Sequence, residues 1–436
     1  MHEFPGCLGD VCSKEYNRIM ESQWWSQERL ATESFLSFQR IVSIAYEHVP
    51  YYRKVFDRRG ISPDHIQTPE DTALVPLLSK DDLRSHFALL KSTAAGAQKA
   101  RIERTSGSSG TSVEFLLSEY VDDIEYAYLW RHWNWAGFDY GDRAVVIRGL
   151  RFGSSVVGRP PYMVDRKNGR RNLYISSYHL NEANLHYYLQ LMARFRPKIM
   201  RVLPSTLDLL TRFASMFGYQ VPSVQSIITA SETLVDSVRD RASRFWQCPV
   251  FDWYGQRERV AAIGQCGEGI YHVNPEYSYV ELQRIDRDLY EIVGTSFNNE
   301  VMPLIRYRTG DLVTRSVSEC SCGRGLPALD KIEGRTSQML LSTDGCWLFP
   351  NALQHVLEPC LNIRMAQVRQ REQGHLEVRI VPTDAFDDKD KRHLELSIWD
   401  LLGSDTDIDF RFVSDIEPGR TGKRPVVVSD LRLPFA

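Results

Sequence analysis

The chain has 436 residues, 43% of them hydrophobic and 25% charged, with a formal net charge of -3. That length exceeds one ordinary domain, so two or three packed units are expected, each burying its own apolar core. So small a net charge gives no general attraction for polyanions, and nucleic acid is excluded from the expected partners.

At the N-terminus, Glu3 and Asp10 stand where a secretory signal would carry basic residues and an apolar run, and no later stretch is long enough to span a bilayer. Cytoplasmic residence without membrane association is therefore expected. Residues 1–100 read as a mostly helical lead-in. Ser26 to Tyr46 has the periodicity of a long amphipathic helix that His48-Val49-Pro50 must break, and Ser79 is an N-cap before an acidic first turn. From Arg101 the segment IERTSGSSGTSVEFLLS reads as strand, loop, strand.

Beyond it, helical stretches at 120–136, 184–195, 205–216 and 233–246 alternate with short apolar runs at 144–147, 198–203 and 226–230. This alternation predicts an α/β architecture of helix-covered sheets. Residues 277–315 read as strands with turns, a β-rich subdomain. After Gly334-Arg335 the pattern restarts as a small α+β unit: QMLLS, a turn at Asp344-Gly345, a helix over 351–357, the strand HLEVRIV, a helix over 388–402 and the strand DFRFVSD. The expected division is a large N-terminal domain, 1–335, and a small C-terminal domain, 336–436.

Five segments carry chemistry. Thr105-Ser106-Gly107-Ser108-Ser109-Gly110-Thr111 combines hydroxyls with glycines that let backbone N–H groups approach phosphate oxygens, but it lacks the Gly-Lys-[Ser/Thr] of a Walker A loop. Alone, such a loop is commonly just a flexible turn. In Tyr254-Gly255-Gln256-Arg257-Glu258, Glu258 is a carboxylate at a strand end, suited to Mg²⁺ or else to a surface ion pair with an adjacent arginine. Tyr307-Arg308-Thr309-Gly310-Asp311 offers a ribose-binding aspartate or simply a β-turn. Gly334-Arg335 and Gly419-Arg420-Thr421-Gly422-Lys423 complete the series, each commonplace in isolation.

In this order and at these separations the five segments resemble the adenylate-forming superfamily, specifically its phenylacetate-CoA ligase/CapK-like branch. The likeness extends to VPYYRKVF at 49–56, to LVPLLSKDDLR at 74–84, and to Ser231-Glu232-Thr233-Leu234, which stands where the family has its adenine-side GGE loop. The resemblance implies an ATP-dependent attack of a carboxylate on the α-phosphate, giving acyl-AMP and pyrophosphate. It assigns Thr105 to Thr111, Ser231, Glu232, Tyr254, Gly255, Asp311 and Arg335 to ATP, Glu258 to Mg²⁺, and Lys423 to the bridge between carboxylate and α-phosphate. It further implies a mobile C-terminal domain, hinged just after Arg335, that exposes the adenylate to coenzyme A, or in relatives to a carrier protein, amine or hydroxyl. The acid is expected to be aromatic, although the dense aromatics Tyr126, Tyr128, Trp130, Trp133, Trp135 and Phe138 read first as core. A non-catalytic nucleotide-binding protein is the alternative of another class.

Two departures stand out: Ser337-Gln338 replaces the usual acidic pair after Gly-Arg, and Arg257 replaces the hydroxyl residue before Glu258. Cys266, His272, Cys320 and Cys322 make a donor set suited to tetrahedral zinc, and CapK-like relatives have a similar insert. Zinc there would be structural, because four protein ligands leave no open position. Reduced cysteines packed as small apolar side chains are the alternative.

Overall fold

In the computed structural model of the protein, the helix expected from Ser26 runs over Gln27–His48, with the Ser26 hydroxyl accepting the Arg29 N–H. It buries Leu30, Phe38, Ile41, Val42 and Ala45, the spacing that puts one stripe against a core. Pro50 then starts the next helix, Pro50–Arg59, where its missing N–H costs nothing. The structure describes residues 9–94, 99–105, 113–150, 160–165, 171–315, 320–348, 353, 356, 357, 360, 362–419 and 423–431. Ser106 to Thr111 lie outside the described residues, as does most of the helix expected over 351–357.

Two units are formed, each from two separate stretches of chain: Met1–Ala136 with Trp253–Lys331, and Gly137–Asp252 with Ile332–Ala436. In the first, Ala100–Arg104 and Glu114–Ser118 pair antiparallel, so the expected strand-loop-strand is a hairpin. Strands Ser278–Arg284, Leu289–Ser296 and Tyr307–Arg315 pair in chain order, and Ala262–Gln265 pairs with Tyr271–Val273. Helix Val121–Trp135 buries Tyr128, Trp130 and Trp133, which places these aromatics in the core. A further helix of the lead-in, Asp10–Ser22, is tied down by its Ser22 hydroxyl donating to Glu276, the carboxylate that also holds the buried Arg131 at 3.0 Å.

The second unit holds two larger sheets beside the short antiparallel pair Leu340–Leu341 and Trp347–Leu348. Strands Ser226–Ala230, Ile199–Val202, Arg143–Arg148 and Arg171–Ser176 are parallel neighbours in that order, and Tyr162–Asp165 closes the edge antiparallel. Helices Glu182–Phe195, Pro204–Met216 and Asp236–Trp246 share its core, which explains why the strands read as continuous apolar runs. The other sheet has the order Asp407–Phe412, His375–Pro382, Ile363–Glu372, Val427–Ser429, packed on helix Asp388–Leu402.

Candidate functional site

The YRTGD segment is not a turn. It lies within strand Tyr307–Arg315, where the register against Leu289–Ser296 shifts between Glu291 and Val293 and Gly310 takes φ 76°. A bulge inserts an extra residue and re-aims the side chain that follows. Buried Glu291 fixes it, one carboxylate oxygen accepting the Gly310 N–H at 3.0 Å and the other pairing with Arg308 at 2.7 Å. The Thr309 hydroxyl donates to the Ile292 carbonyl and accepts the Asp311 N–H. Asp311 so oriented accepts the Tyr254 hydroxyl at 2.7 Å, and the Gln256 amide donates to the same tyrosine oxygen. On the other side of Tyr307, Leu78 exchanges backbone hydrogen bonds with Arg306 and Arg308, and Lys80 donates to the Thr309 carbonyl at 3.0 Å. The LLSKDDLR segment thus buttresses the bulge.

Tyr254 and Gly255 end the strand Val250–Gly255, and Glu258 follows in the turn. Glu258 is buried and accepts the Tyr307 hydroxyl at 3.1 Å. Its flanking arginines pair elsewhere: Arg257 with Glu103 at 3.0 Å and Arg259 with Glu125 at 2.7 Å. The surface ion pair between Glu258 and a neighbouring arginine is therefore not formed. A buried carboxylate braced by one hydroxyl fits a hard divalent cation. Thr105 closes the base of the Ser/Gly loop, accepting the Val113 N–H on its hydroxyl and donating its own N–H to the Val113 carbonyl.

In the second unit, strand Ser226–Ala230 runs into Ser231, which takes φ 75°, a left-handed conformation that is uncommon for serine. Glu232 then accepts the Ser205 N–H at 2.9 Å in the first turn of helix Pro204–Met216. Lys423 donates its ammonium to the Ser231 carbonyl. Its loop is closed by the Gly419 N–H on the Lys423 carbonyl at 2.9 Å and anchored by Arg424, which donates to Ile416 and Ser177 carbonyls. Burial pushes the Glu232 carboxyl above its ordinary range, against the Ser205 N–H, the Lys423 charge and the Arg424 N–H. Gly334, at φ 118°, and Arg335 end the strand Ala328–Arg335, with Arg335 leading into the short turn Thr336–Gln338. Arg424 was not singled out from the sequence, although it adjoins Lys423. Neither was Glu291, whose part depends on a partner strand.

The four zinc-type donors are brought together, their ligand atoms all within 4.8 Å of one another. Cys266 and Cys320 sulfurs are 3.6 Å apart, and the Cys322 sulfur is 3.4 Å from His272 Nε2. Ligands about 2.3 Å from a tetrahedral zinc stand about 3.7 Å from each other, so the set fits. His272 Nδ1 faces the Leu326 carbonyl at 3.1 Å, the outer contact that leaves Nε2 for a metal. Burial, with Arg324 and Arg131 nearby, lowers the His272 pKa and keeps the imidazole neutral, the ligating form.

Known proteins show the same plan. Residues 340–430 match the CapK C-terminal domain family. Protein CapK of Staphylococcus aureus is 23% identical over 91% of this chain and 88% of its own length. A phenylacetate-coenzyme A ligase of Aromatoleum evansii is 26% identical, covering 82% of each chain. A solved structure of 2-hydroxyisobutyryl-CoA ligase in its postadenylation state shares the fold, with TM-score 0.69 at 17% identity over 91% of this chain and 89% of that one. Over most of its length the chain is thus similar to the phenylacetate-CoA ligase/CapK-like branch of the adenylate-forming superfamily.

Arg257 has a structural partner in Glu103, on the strand entering the Ser/Gly loop. With the Arg257 side chain 60% exposed, the pair contributes little stability. Ser337 and Gln338, in place of the superfamily's acidic pair, form the short turn after Arg335.

Proposed function

We propose that this AMP-forming ligase activates a small carboxylic acid with MgATP to acyl-AMP and transfers the acyl group to a thiol, with coenzyme A the leading acceptor and an aromatic acid the leading substrate. The observation that carries the reading is the Lys423 ammonium on the Ser231 carbonyl, because it brings the terminal-segment lysine to the adenine-side loop of the family from 192 residues away.

In this reading the acid's carboxylate oxygen attacks the α-phosphorus and pyrophosphate leaves. The thiol then attacks the acyl carbon and AMP leaves. Residues 105–111 hold the leaving phosphates, Asp311 and Arg335 the ribose, and Tyr254 keeps Asp311 oriented. Lys423 neutralises charge developing between carboxylate and α-phosphate. Catalysis of this kind is positioning with charge stabilisation and needs no covalent enzyme intermediate. Magnesium, held by Glu258, would neutralise charge on the phosphates. Zinc on Cys266, His272, Cys320 and Cys322 would be structural and take no part in the chemistry.

Removing one transition-state donor costs about 3 kcal/mol, on the order of 100-fold in rate. Lys423→Ala should lose about that much acid-dependent pyrophosphate exchange while ATP binding, measured by calorimetry, is retained. The identifying experiment is a carboxylic acid panel assayed for exchange and for AMP release with and without coenzyme A. Acid-dependent exchange with AMP release stimulated by coenzyme A is expected. No exchange with any acid would overturn the enzyme reading.

A second acceptor class has its own support: the segment bearing Lys423 matches the CapK C-terminal domain. Exchange that proceeds while coenzyme A leaves AMP release unchanged would favour an amine, hydroxyl or carrier-protein thiol.

A further inference from the structure

We infer that Glu232 is a positioning residue that holds Lys423 and Arg424 and thereby aims the lysine, its carboxylate serving the protein's own chain and not the nucleotide. The inference rests on the reading of Lys423 given above.

Glu232 has a fixed anchor: one carboxylate oxygen accepts the Ser205 N–H at 2.9 Å. Ser205 lies in the first turn of a helix thirteen residues long, where unpaired N–H groups and the helix dipole favour a negative group. The other oxygen, Oε1, is shielded from solvent and has no hydrogen-bond partner among the described residues. A carboxylate placed so is held rigidly at one end and keeps acceptor capacity at the other.

The C-terminal segment reaches the same turn, for Lys423 donates its ammonium to the carbonyl of Ser231, the residue before Glu232. The Lys423 charge and the Arg424 backbone N–H both favour its ionised form. The segment has further ties to the same layer of the second unit: Tyr178 donates to the Gly419 carbonyl at 3.4 Å, and Arg424 to the Ser177 carbonyl at 3.4 Å. The left-handed backbone of Ser231 turns its carbonyl to the Lys423 ammonium one residue before Glu232. Two adjacent residues thus receive the lysine and its neighbour, one through a carbonyl and one through a charge. An amine delivered on a loop is useful only if the loop is held, since small misplacements cost orders of magnitude in rate.

The test compares Glu232→Ala and Glu232→Gln with the parent enzyme in two half-reactions and in amide hydrogen exchange. Pyrophosphate exchange in Glu232→Ala should fall about tenfold in kcat, with KM for ATP within about twofold. Thioester formation from synthetic acyl-AMP should be unchanged, and amides of 416–431 should exchange faster. Glu232→Gln, which keeps an acceptor for the Ser205 N–H but no charge, should lie between the two. A raised KM for ATP at unchanged kcat would make Glu232 a nucleotide contact and overturn the inference. So would equal losses in both half-reactions, or unchanged adenylation. If Lys423→Ala itself retains adenylation, the functional reading fails, and the exchange measurement still decides the inference: unchanged protection of 416–431 in Glu232→Ala overturns it.

Discussion

Asp311 owes its orientation to three neighbours of different kinds: a glycine that permits φ 76°, a threonine that hydrogen-bonds within the bulge, and a tyrosine that donates to the carboxylate. The tyrosine is the one that can be removed without touching the backbone. Tyr254→Phe deletes the hydrogen bond at 2.7 Å and preserves the ring. A bond to a charged acceptor is worth about 1.5 kcal/mol or more, corresponding to at least about tenfold if Asp311 must hold a ribose in that rotamer. The expectation is a rise in the dissociation constant for AMP of about that size, measured by calorimetry, with the melting temperature nearly unchanged. Equal AMP affinity in the two proteins would remove Tyr254 from the site.

The element holding the metal-type donors is built from tight turns. Cys266 N–H bonds the Ile270 carbonyl, Gly269 takes φ 80°, and Gly323 takes φ 75° just after Cys322. Short turns with few apolar contacts need a cross-link, and a cation on three thiolates and an imidazole supplies one. Burial pushes the Cys320 thiol up to about 12, and a divalent cation reverses that preference. Metal analysis of purified protein should find about one zinc per chain. Chelation, or Cys322→Ser, should accelerate hydrogen exchange over 262–273 and 320–329. Full protection after the metal has been removed would show the turns to be self-sufficient. This cluster was legible before any coordinates because cysteine and histidine mark a site by identity. The bulge was not, since Thr-Gly-Asp is written alike in a turn and in a bulge and only Glu291, across the sheet, decides. Strand Ile363–Glu372 was missed for a related reason. Its IRMAQVRQRE is rich in arginine and only half-buried, and it becomes a strand through pairing with both His375–Pro382 and Val427–Ser429. The helices Gln27–His48 and Asp388–Leu402 were readable from the local pattern of their own residues.

Across the whole molecule, the response to acid is set by groups that folding forbids to take up protons. His132 is completely buried on helix Val121–Trp135, with Nε2 3.1 Å from the Gln265 carbonyl, and burial, reinforced by Arg324 and Arg131, lowers its pKa to about 3. Unfolded histidine titrates near 6.5, so as pH falls below that value the unfolded chain gains a proton that the folded one cannot. His132 therefore makes stability decline from about pH 6.5 downward, by on the order of 2 kcal/mol between pH 7 and pH 5. Metal-free His272 acts in the same direction. Glu276, lowered by Arg131 despite its burial, adds loss only as pH drops through the carboxylate range. The acid limb should thus begin near the histidine range, well above the pH at which carboxylates alone would start it. Denaturant midpoints at pH 7 and pH 5 measure this. His132→Gln, which hydrogen-bonds but does not titrate, should be less stable at pH 7 yet show a flatter decline to pH 5. Parallel declines in the two proteins would mean that some group other than the buried histidine carries the acid sensitivity.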